Sequence, residues 1–459
     1  MSSSETTIAG SSTSTPTPPP SPPAKKVNEF EDGRQKPAYT WKQSWSDYFK
    51  QAWKYSDAEV EQRLLSQLSF FPEPNGKRSG HVINTPIGDG NFIHEFYIEN
   101  KETDVSSKSA TQCKEIVLIH GYAASLGLFI DNFDELSKIP GVKIHAIDLL
   151  GFGMSARPKF PSLPSSNKEE IYKVEDWFID SLETWRKKRG IDKFVLMGHS
   201  FGGYLSCAYV LKHKGEAVDK LVLISPVGVE RSKFSLLDDK TNEPRVSLEQ
   251  EFLADQEDIV HGKGQSVSHS GSDQKEGGGD VVVDENKNPP PKSTSRKLVD
   301  YMWEKNYSPF SLIRNSGVAK SKLISRWTTH RFAHTYYQNP EHFQNMHDYI
   351  YRVFNGAGSG EYAITRVLAV GALAKLPLLD RCPQKFVDMK LPSLWLYGDK
   401  DWMNEKAGEE ATREINKLSQ KKYHTPLAQF QILKNAGHHL YLDNPPDFAR
   451  IIFKFLGYK

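Results

Sequence analysis

The chain has 459 residues, a formal net charge of +2 and 38% hydrophobic content. So even a charge balance excludes nucleic-acid binding by bulk electrostatics. Three cysteines, Cys113, Cys207 and Cys382, are too few and too widely spaced for a disulfide framework, and they point to a reducing compartment. No apolar run approaches the ~20 residues of a membrane-spanning helix, so any membrane association is expected to be peripheral.

Residues 1–38 are rich in Ser, Thr and Pro and are expected to be disordered. They are nearly free of arginine, unlike an ordinary transit peptide, and show no secretory apolar core. Residues 39–75 form the next unit, read as helical over 40–70. Trp41, Trp45, Phe49 and Trp53 recur every four residues, with Lys42, Lys50 and Lys54 beside them. Tryptophan beside lysine is the composition of an interfacial anchor; the same stripe also suits packing against the body of the protein.

The segment 76–235 opens with an alternating stretch, Ile83 to Lys101, turned at Gly88-Asp89-Gly90, which predicts a hairpin. Apolar strands near 116–120, 144–148, 194–198 and 220–225 follow, separated by helical segments; 393–397 and 428–433 complete the set. This alternation predicts an α/β fold with a mostly parallel sheet covered by helices on both faces.

Between Phe194-Val195-Leu196-Met197 and a helical run from Gly203 lies Gly198-His199-Ser200-Phe201-Gly202. A serine between strand and helix, with glycine two residues away on each side, is a nucleophile elbow. Partners are expected in the order Ser, Asp or Glu, His. Asp399-Lys400-Asp401 follows the 393–397 strand; Asp401, deeper in the loop, is the expected acid, with Asp399 a turn residue. His438, after Gly437, is the expected base, with His439 the alternative. The oxyanion donors are then the backbone amides of Phe201 and of Tyr122, which follows the strand-ending His120-Gly121.

Residues 236–385 interrupt the strand series, and 386–459 return to it. Within the interruption, about 238–296 is polar, with Gly277-Gly278-Gly279 and Pro289-Pro290-Pro291, and is read as a disordered insertion. Residues 297–385 are aromatic and helical: Trp303, Tyr307, Phe310, Ile313, Trp327, Phe332, Tyr336, Tyr337, Phe343, Tyr349, Tyr351 and Phe354 suit a helical cap that holds apolar ligand and excludes water, or else an ordinary helical subdomain without substrate contact. His330 and His334 have a chelating i, i+4 spacing, with His342 and His347 nearby. They lack a metalloprotease glutamate, so no metal or cofactor is expected. Arg326 and Arg331, or Arg366 and Lys375, are cations available to a lipid phosphate.

Taken together, the elbow, His120-Gly121-Tyr122, Asp148-Leu149-Leu150-Gly151-Phe152-Gly153-Met154-Ser155, Gly360-Glu361-Tyr362-Ala363 and Asp401-Trp402-Met403-Asn404 resemble the α/β-hydrolase superfamily. Within it they resemble the α/β-hydrolase domain proteins 4 and 5 and their fungal relatives, the mitochondrial cardiolipin deacylases, over roughly 35–235 and 295–459. The resemblance implies an acyl hydrolase acting on phospholipid or lysophospholipid at a membrane surface, of the phospholipase A or cardiolipin-deacylase type. It also implies a mitochondrial inner-membrane location, with the cytoplasm or a lipid-droplet surface as alternatives. The family carries a His-x-x-x-x-Asp pattern linked to lysophosphatidic acid acyltransfer, matched here by His438 and Asp443. Asp443-Asn444-Pro445-Pro446-Asp447 also reads as a plain helix start. A relative with Asn at the nucleophile position acts as a coactivator; Ser200 argues for catalysis here.

Overall fold

The computed structural model describes residues 38–102, 115–237, 307–369 and 371–458. Cys113, Trp303, the N-terminal Ser/Thr/Pro segment through residue 37 and the 238–296 insertion lie outside the described residues, as do the side chains of 333–337, His334 among them.

Eight strands form one sheet in the order β1 (Arg78–Gly88), β2 (Asn91–Asn100), β4 (Lys143–Ile147), β3 (Glu115–Ile119), β5 (Phe194–His199), β6 (Val218–Ile224), β9 (Ser393–Gly398), β10 (Ala428–Leu433). The hairpin β1–β2 and the β2–β4 pair are antiparallel; the other pairings are parallel. The first strand starts at Arg78, five residues before the alternation signalled it. The central strands β5 and β9 are buried along their whole length, as continuous apolar runs covered on both faces must be.

Alternate side chains feed two cores. Val117, Ile119, Leu196 and Leu223 join a core under α4 (Lys168–Arg189) and α5 (Phe201–Lys212). Ile116, Leu118, Val195 and Ile224 join one shared with α2 (Asp57–Leu65) and α3 (Ile130–Leu136).

The expected helix over 40–70 is two helices, α1 (Trp41–Trp53) and α2. Thr40 with Gln43 and Ser56 with Glu59 each form a capping box, so the second box starts a new helix where one was expected to continue. The cap consists of α6 (Pro309–Asn315), α7 (Ala319–Gln338) and α8 (Pro340–Asn355). α7 breaks at Phe332, whose φ −116° and ψ 22° are not helical. Beyond α8 the region holds a two-residue antiparallel hairpin, β7 (Leu368–Ala369) and β8 (Leu373–Ala374), inside a stretch expected to be helical.

α1 sits on the cap the opposite way round from an ordinary amphipathic helix. Ser44, Asp47 and Gln51 are its buried residues. Ser44 Oγ donates to the Val318 carbonyl (2.6 Å) and accepts from Lys322 N (2.9 Å), and Gln51 Nε2 donates to Asp348 Oδ1 (2.7 Å). Trp41, Trp45 and Trp53 remain 58%, 50% and 79% exposed. Among the described residues, the stripe is therefore largely uncovered.

Candidate active site

The parallel strands all end at one edge of the sheet, and the loops there carry the expected chemistry. Ser200 is the residue between β5 and α5, with φ 51° and ψ −115°. A non-glycine residue with positive φ stores backbone strain, here fixed by Ser200 N donating to the Ile224 carbonyl at 2.9 Å. The flanking glycines are sterically required. A Cβ on Gly198 would lie 2.4 Å from Ser206 Oγ and 2.5 Å from the Gly202 carbonyl; one on Gly202 would lie 2.4 Å from the His120 carbonyl. The Ser200 hydroxyl has no hydrogen-bond partner among the described residues, and the residue is nearly buried at 8% exposure.

Asp401 lies three residues past β9 and His438 five past β10. Their side chains meet: His438 Nδ1 is 3.3 Å from Asp401 Oδ1 and 2.8 Å from Ser225 Oγ. Asp401 is almost wholly buried, which alone would raise its carboxyl. The His438 hydrogen bond and charge, helped by Ser225 and the Met403 amide, bring it below the ordinary carboxylate value. Trp402 packs 4.8 Å from the imidazole and limits its rotation.

The neighbouring acid and imidazoles have other work. Asp399 Oδ1 accepts from Ala436 N at 3.0 Å, so it ties down the loop that leads to His438. His439 pairs through Nδ1 with the Tyr441 hydroxyl at 3.1 Å. His199 lies between the two: its Nε2 is 3.0 Å from the His438 carbonyl and its ring is 4.8 Å from each neighbouring ring. Burial, then the charges of His438 and Arg331, hold His199 well below its ordinary value, so it is neutral.

The oxyanion loop is positioned by a residue whose role the sequence did not reveal. Asp148, at the end of β4, is buried and accepts from Leu126 N (2.7 Å) and Met154 N (2.6 Å). One carboxylate thus joins the loop after β3, which contains Tyr122, to the loop after β4. Phe201 N is the first amide of α5 and has no intrahelical acceptor, as helix geometry dictates. The Tyr122 ring faces the cap, 5.6 Å from Phe310.

Asp443 does not meet the His438 ring. Its Oδ2 accepts from Gly437 N at 2.8 Å. Asn444 caps the helix Pro445–Leu456 with Pro445 in the first position, so the plain helix-start reading of this segment describes the geometry. Of the cap aromatics, Phe310, Phe332, Phe343, Tyr349 and Phe354 are buried in the second core.

Both histidines near the expected i, i+4 pair have partners among the described residues. His342 contacts Gln67, and His347 contacts Thr328 (3.1 Å) and Asp47 (3.4 Å). Asp47, His347 and Asp348 approach closely enough to hold an ion. Asp348, however, is already engaged by Gln51, Gln344 and Arg63. Arg366 donates to the Leu163 and Tyr362 carbonyls and Lys375 to Ser165, so both are spent on neutral partners. Arg331 has no hydrogen bond or ion pair among the described residues, and its charge reaches His199 and Tyr441.

Comparison with known proteins agrees with this architecture. A family model for the α/β-hydrolase fold matches residues 114–445. The chain is 30% identical to an Arabidopsis thaliana 1-acylglycerol-3-phosphate O-acyltransferase over 85% of its length and 77% of the relative's. It is 27% identical to the Saccharomyces cerevisiae 1-acylglycerol-3-phosphate O-acyltransferase ICT1, over 82% of this chain and 89% of that one. It is 25% identical to the human (lyso)-N-acylphosphatidylethanolamine lipase, over 73% and 77%.

Proposed function

The chain belongs to the α/β-hydrolase family, in the branch of domain proteins 4 and 5, and from that premise we propose that it is a serine hydrolase deacylating glycerophospholipids, of the phospholipase A or cardiolipin-deacylase type. One observation carries the reading: a strained, unpartnered serine at the β5–α5 turn shares the strand-end edge with an imidazole whose Nδ1 is held by a buried carboxylate.

In this mechanism Ser200 Oγ attacks the ester carbonyl while His438 Nε2 takes its proton. Asp401 accepts the Nδ1–H, fixes the tautomer and stabilises the imidazolium. The amides of Tyr122 and Phe201 receive the charge that develops on the carbonyl oxygen. His438 passes its proton to the departing lysophospholipid oxygen, leaving the acyl group on Ser200. Water, deprotonated by His438, then attacks that ester; Ser200 recovers the proton and the fatty acid leaves. Of Arg326, Arg331, Arg366 and Lys375, we assign Arg331 to the lipid phosphate, because its charge acts on His199 beside Ser200, whereas Arg366 and Lys375 are committed elsewhere. The exposed tryptophans of α1 lie in the headgroup layer, as peripheral attachment requires. On the cardiolipin-deacylase reading that layer belongs to the mitochondrial inner membrane.

A second reading, acyl transfer to lysophosphatidic acid, is favoured by the names of two relatives. It uses the same acyl-enzyme, with a lipid hydroxyl in place of water. Against a chemical role for the His-x-x-x-x-Asp pattern stands Asp443, whose carboxylate is bonded to a backbone amide and not to the His438 ring. A non-enzymatic adaptor would have no use for the strained Ser200.

The test is a lipid panel including cardiolipin, phosphatidylethanolamine and lysophosphatidic acid, with and without acyl-CoA, on wild type and Ser200→Ala. Fatty acid released by wild type alone supports hydrolysis; net acyl gain on lysophosphatidic acid supports transfer. Equal activity of the two proteins removes Ser200 from the chemistry.

A further inference from the structure

A cavity of about 490 Å³ lies between α2, β1, the loop after β4 and the end of α8. It is within the size range of small-ligand sites, and none of Ser200, Asp401, His438 or Tyr122 lines it. Two arginines do, Arg157 and Arg352.

Arg157 has no carboxylate counter-ion among the described residues and Arg352 only a long one, so neither has the close ion pair a buried cation normally has. Arg157 donates to three carbonyls: Ala357 (3.0 Å), Gly153 (2.9 Å) and Val353 (3.2 Å). No carboxylate among the described residues is within ion-pair distance of it. Gly356 gives it room, since a Cβ there would fall 2.3 Å from Arg157 Cζ. Burial pulls the Arg157 guanidinium down from its usual value, despite the more distant Glu361 and Asp148.

Arg352 donates to the Gln51 and Tyr55 carbonyls. Its nearest carboxylate oxygen is a long 3.6 Å contact to the largely exposed Asp57, and its Nε is buried without a partner.

The one buried acid in the lining is already matched. Both oxygens of Glu61 lie 2.9 Å from His94 Nε2, while His94 Nδ1 faces Asn84 Oδ1 at 2.7 Å. His94 and Glu61 thus satisfy each other, so Glu61 is not a counter-ion available to the arginines. The cavity is therefore lined by two guanidinium groups whose only carboxylate contact among the described residues is the long one from Arg352 to Asp57.

We propose that this cavity is a second, non-catalytic site that binds a phosphate monoester group through Arg157 and Arg352. Guanidinium forks suit phosphate oxygens in both number and geometry. The position indicates what such a site senses. Arg352 closes the C-terminal end of α1, the helix with the outward tryptophans. Arg157 holds Gly153, next to Met154, whose amide Asp148 ties to the oxyanion loop. Anion binding here adjoins both the lipid-facing helix and the loop behind the catalytic edge.

The experiment uses full-length Ser200→Ala protein, so that turnover and the catalytic assignment play no part. Thermal stability is followed against inorganic phosphate, with sodium chloride at matched ionic strength as control. Flotation is measured on phosphatidylcholine vesicles with and without phosphatidic acid. Val82→Glu is the main variant: Val82 lines the cavity, is 40% exposed and touches neither arginine's hydrogen bonds, so it adds a like charge without removing a structural contact. Arg157→Lys, which keeps the charge and loses the fork, is the second. Phosphate is expected to raise the melting temperature, and both variants to weaken it about tenfold, the factor of a ~1.4 kcal/mol loss. If Val82→Glu also abolishes a preference for phosphatidic acid vesicles, the source is a lipid headgroup; if phosphate binds without such a preference, it is soluble phosphate. No response to either anion, or an unchanged response in Val82→Glu, overturns the proposal.

Discussion

Replacing Trp53 with alanine isolates the membrane role of α1 from its structural role. The side chain is 79% exposed and, among the described residues, stacks only on Phe49, at 5.1 Å between rings. A tryptophan offers about 200 Å² of surface, so about 160 Å² is available to a bilayer. At ~25 cal/mol per Å² full burial of that area contributes about 4 kcal/mol. An interfacial helix submerges about half of it, leaving ~2 kcal/mol, or about a 30-fold fall in vesicle partitioning. Folding stability should move by less than about 0.5 kcal/mol, because little of the ring is packed. The assay is cosedimentation with anionic vesicles beside a thermal melt. Unchanged partitioning refutes the reasoning; a collapsed melt shows that the ring has a packing role.

Three further outcomes follow from named contacts. Ser225→Ala removes the 2.8 Å contact to His438 Nδ1 and leaves Asp401 at 3.3 Å; a loss of about 1 kcal/mol predicts roughly fivefold lower kcat/KM with an unchanged melt. Asp148→Ala orphans the buried amides of Leu126 and Met154, which should cost about 3 kcal/mol in denaturant unfolding and lower kcat through the oxyanion loop. Asp401 titrates below an ordinary carboxylate, so its stabilisation is complete above about pH 4 and is lost as pH falls through its lower folded value. The stability gap between wild type and Asp401→Asn should therefore be flat at neutral pH and close in acid; a gap that widens in acid contradicts the assignment.

The elbow was legible because steric crowding leaves only glycine at 198 and 202, and that requirement is written in the sequence. Chain order then led to Asp401 and His438, which the fold brings to one edge. Ser225 was not legible as a partner of the imidazole. A Ser-Pro after an apolar strand is commonplace, and only the adjacency of β6, β9 and β10 carries its hydroxyl to Nδ1. Asp148 was visible as a residue but not as a clamp, since its two amide partners come from separate loops. On α1 the four-residue period located the aromatic stripe correctly, but periodicity gives a face and not its direction. The buried face is the polar one because Asp348 and the Val318 carbonyl offer it hydrogen bonds. In the cap, aromatic richness describes a core as well as a ligand chamber, and Phe343, Tyr349 and Phe354 do sit in the second core.

Active-site labelling tests the catalytic assignment most directly. Wild type, Ser200→Ala and His438→Ala are each treated with a fluorophosphonate and followed by peptide mass spectrometry. A single adduct on the peptide containing residue 200, absent from Ser200→Ala and formed at least about a hundredfold more slowly in His438→Ala, is the predicted result. An adduct on another residue, or equal labelling rates with and without the imidazole, contradicts it.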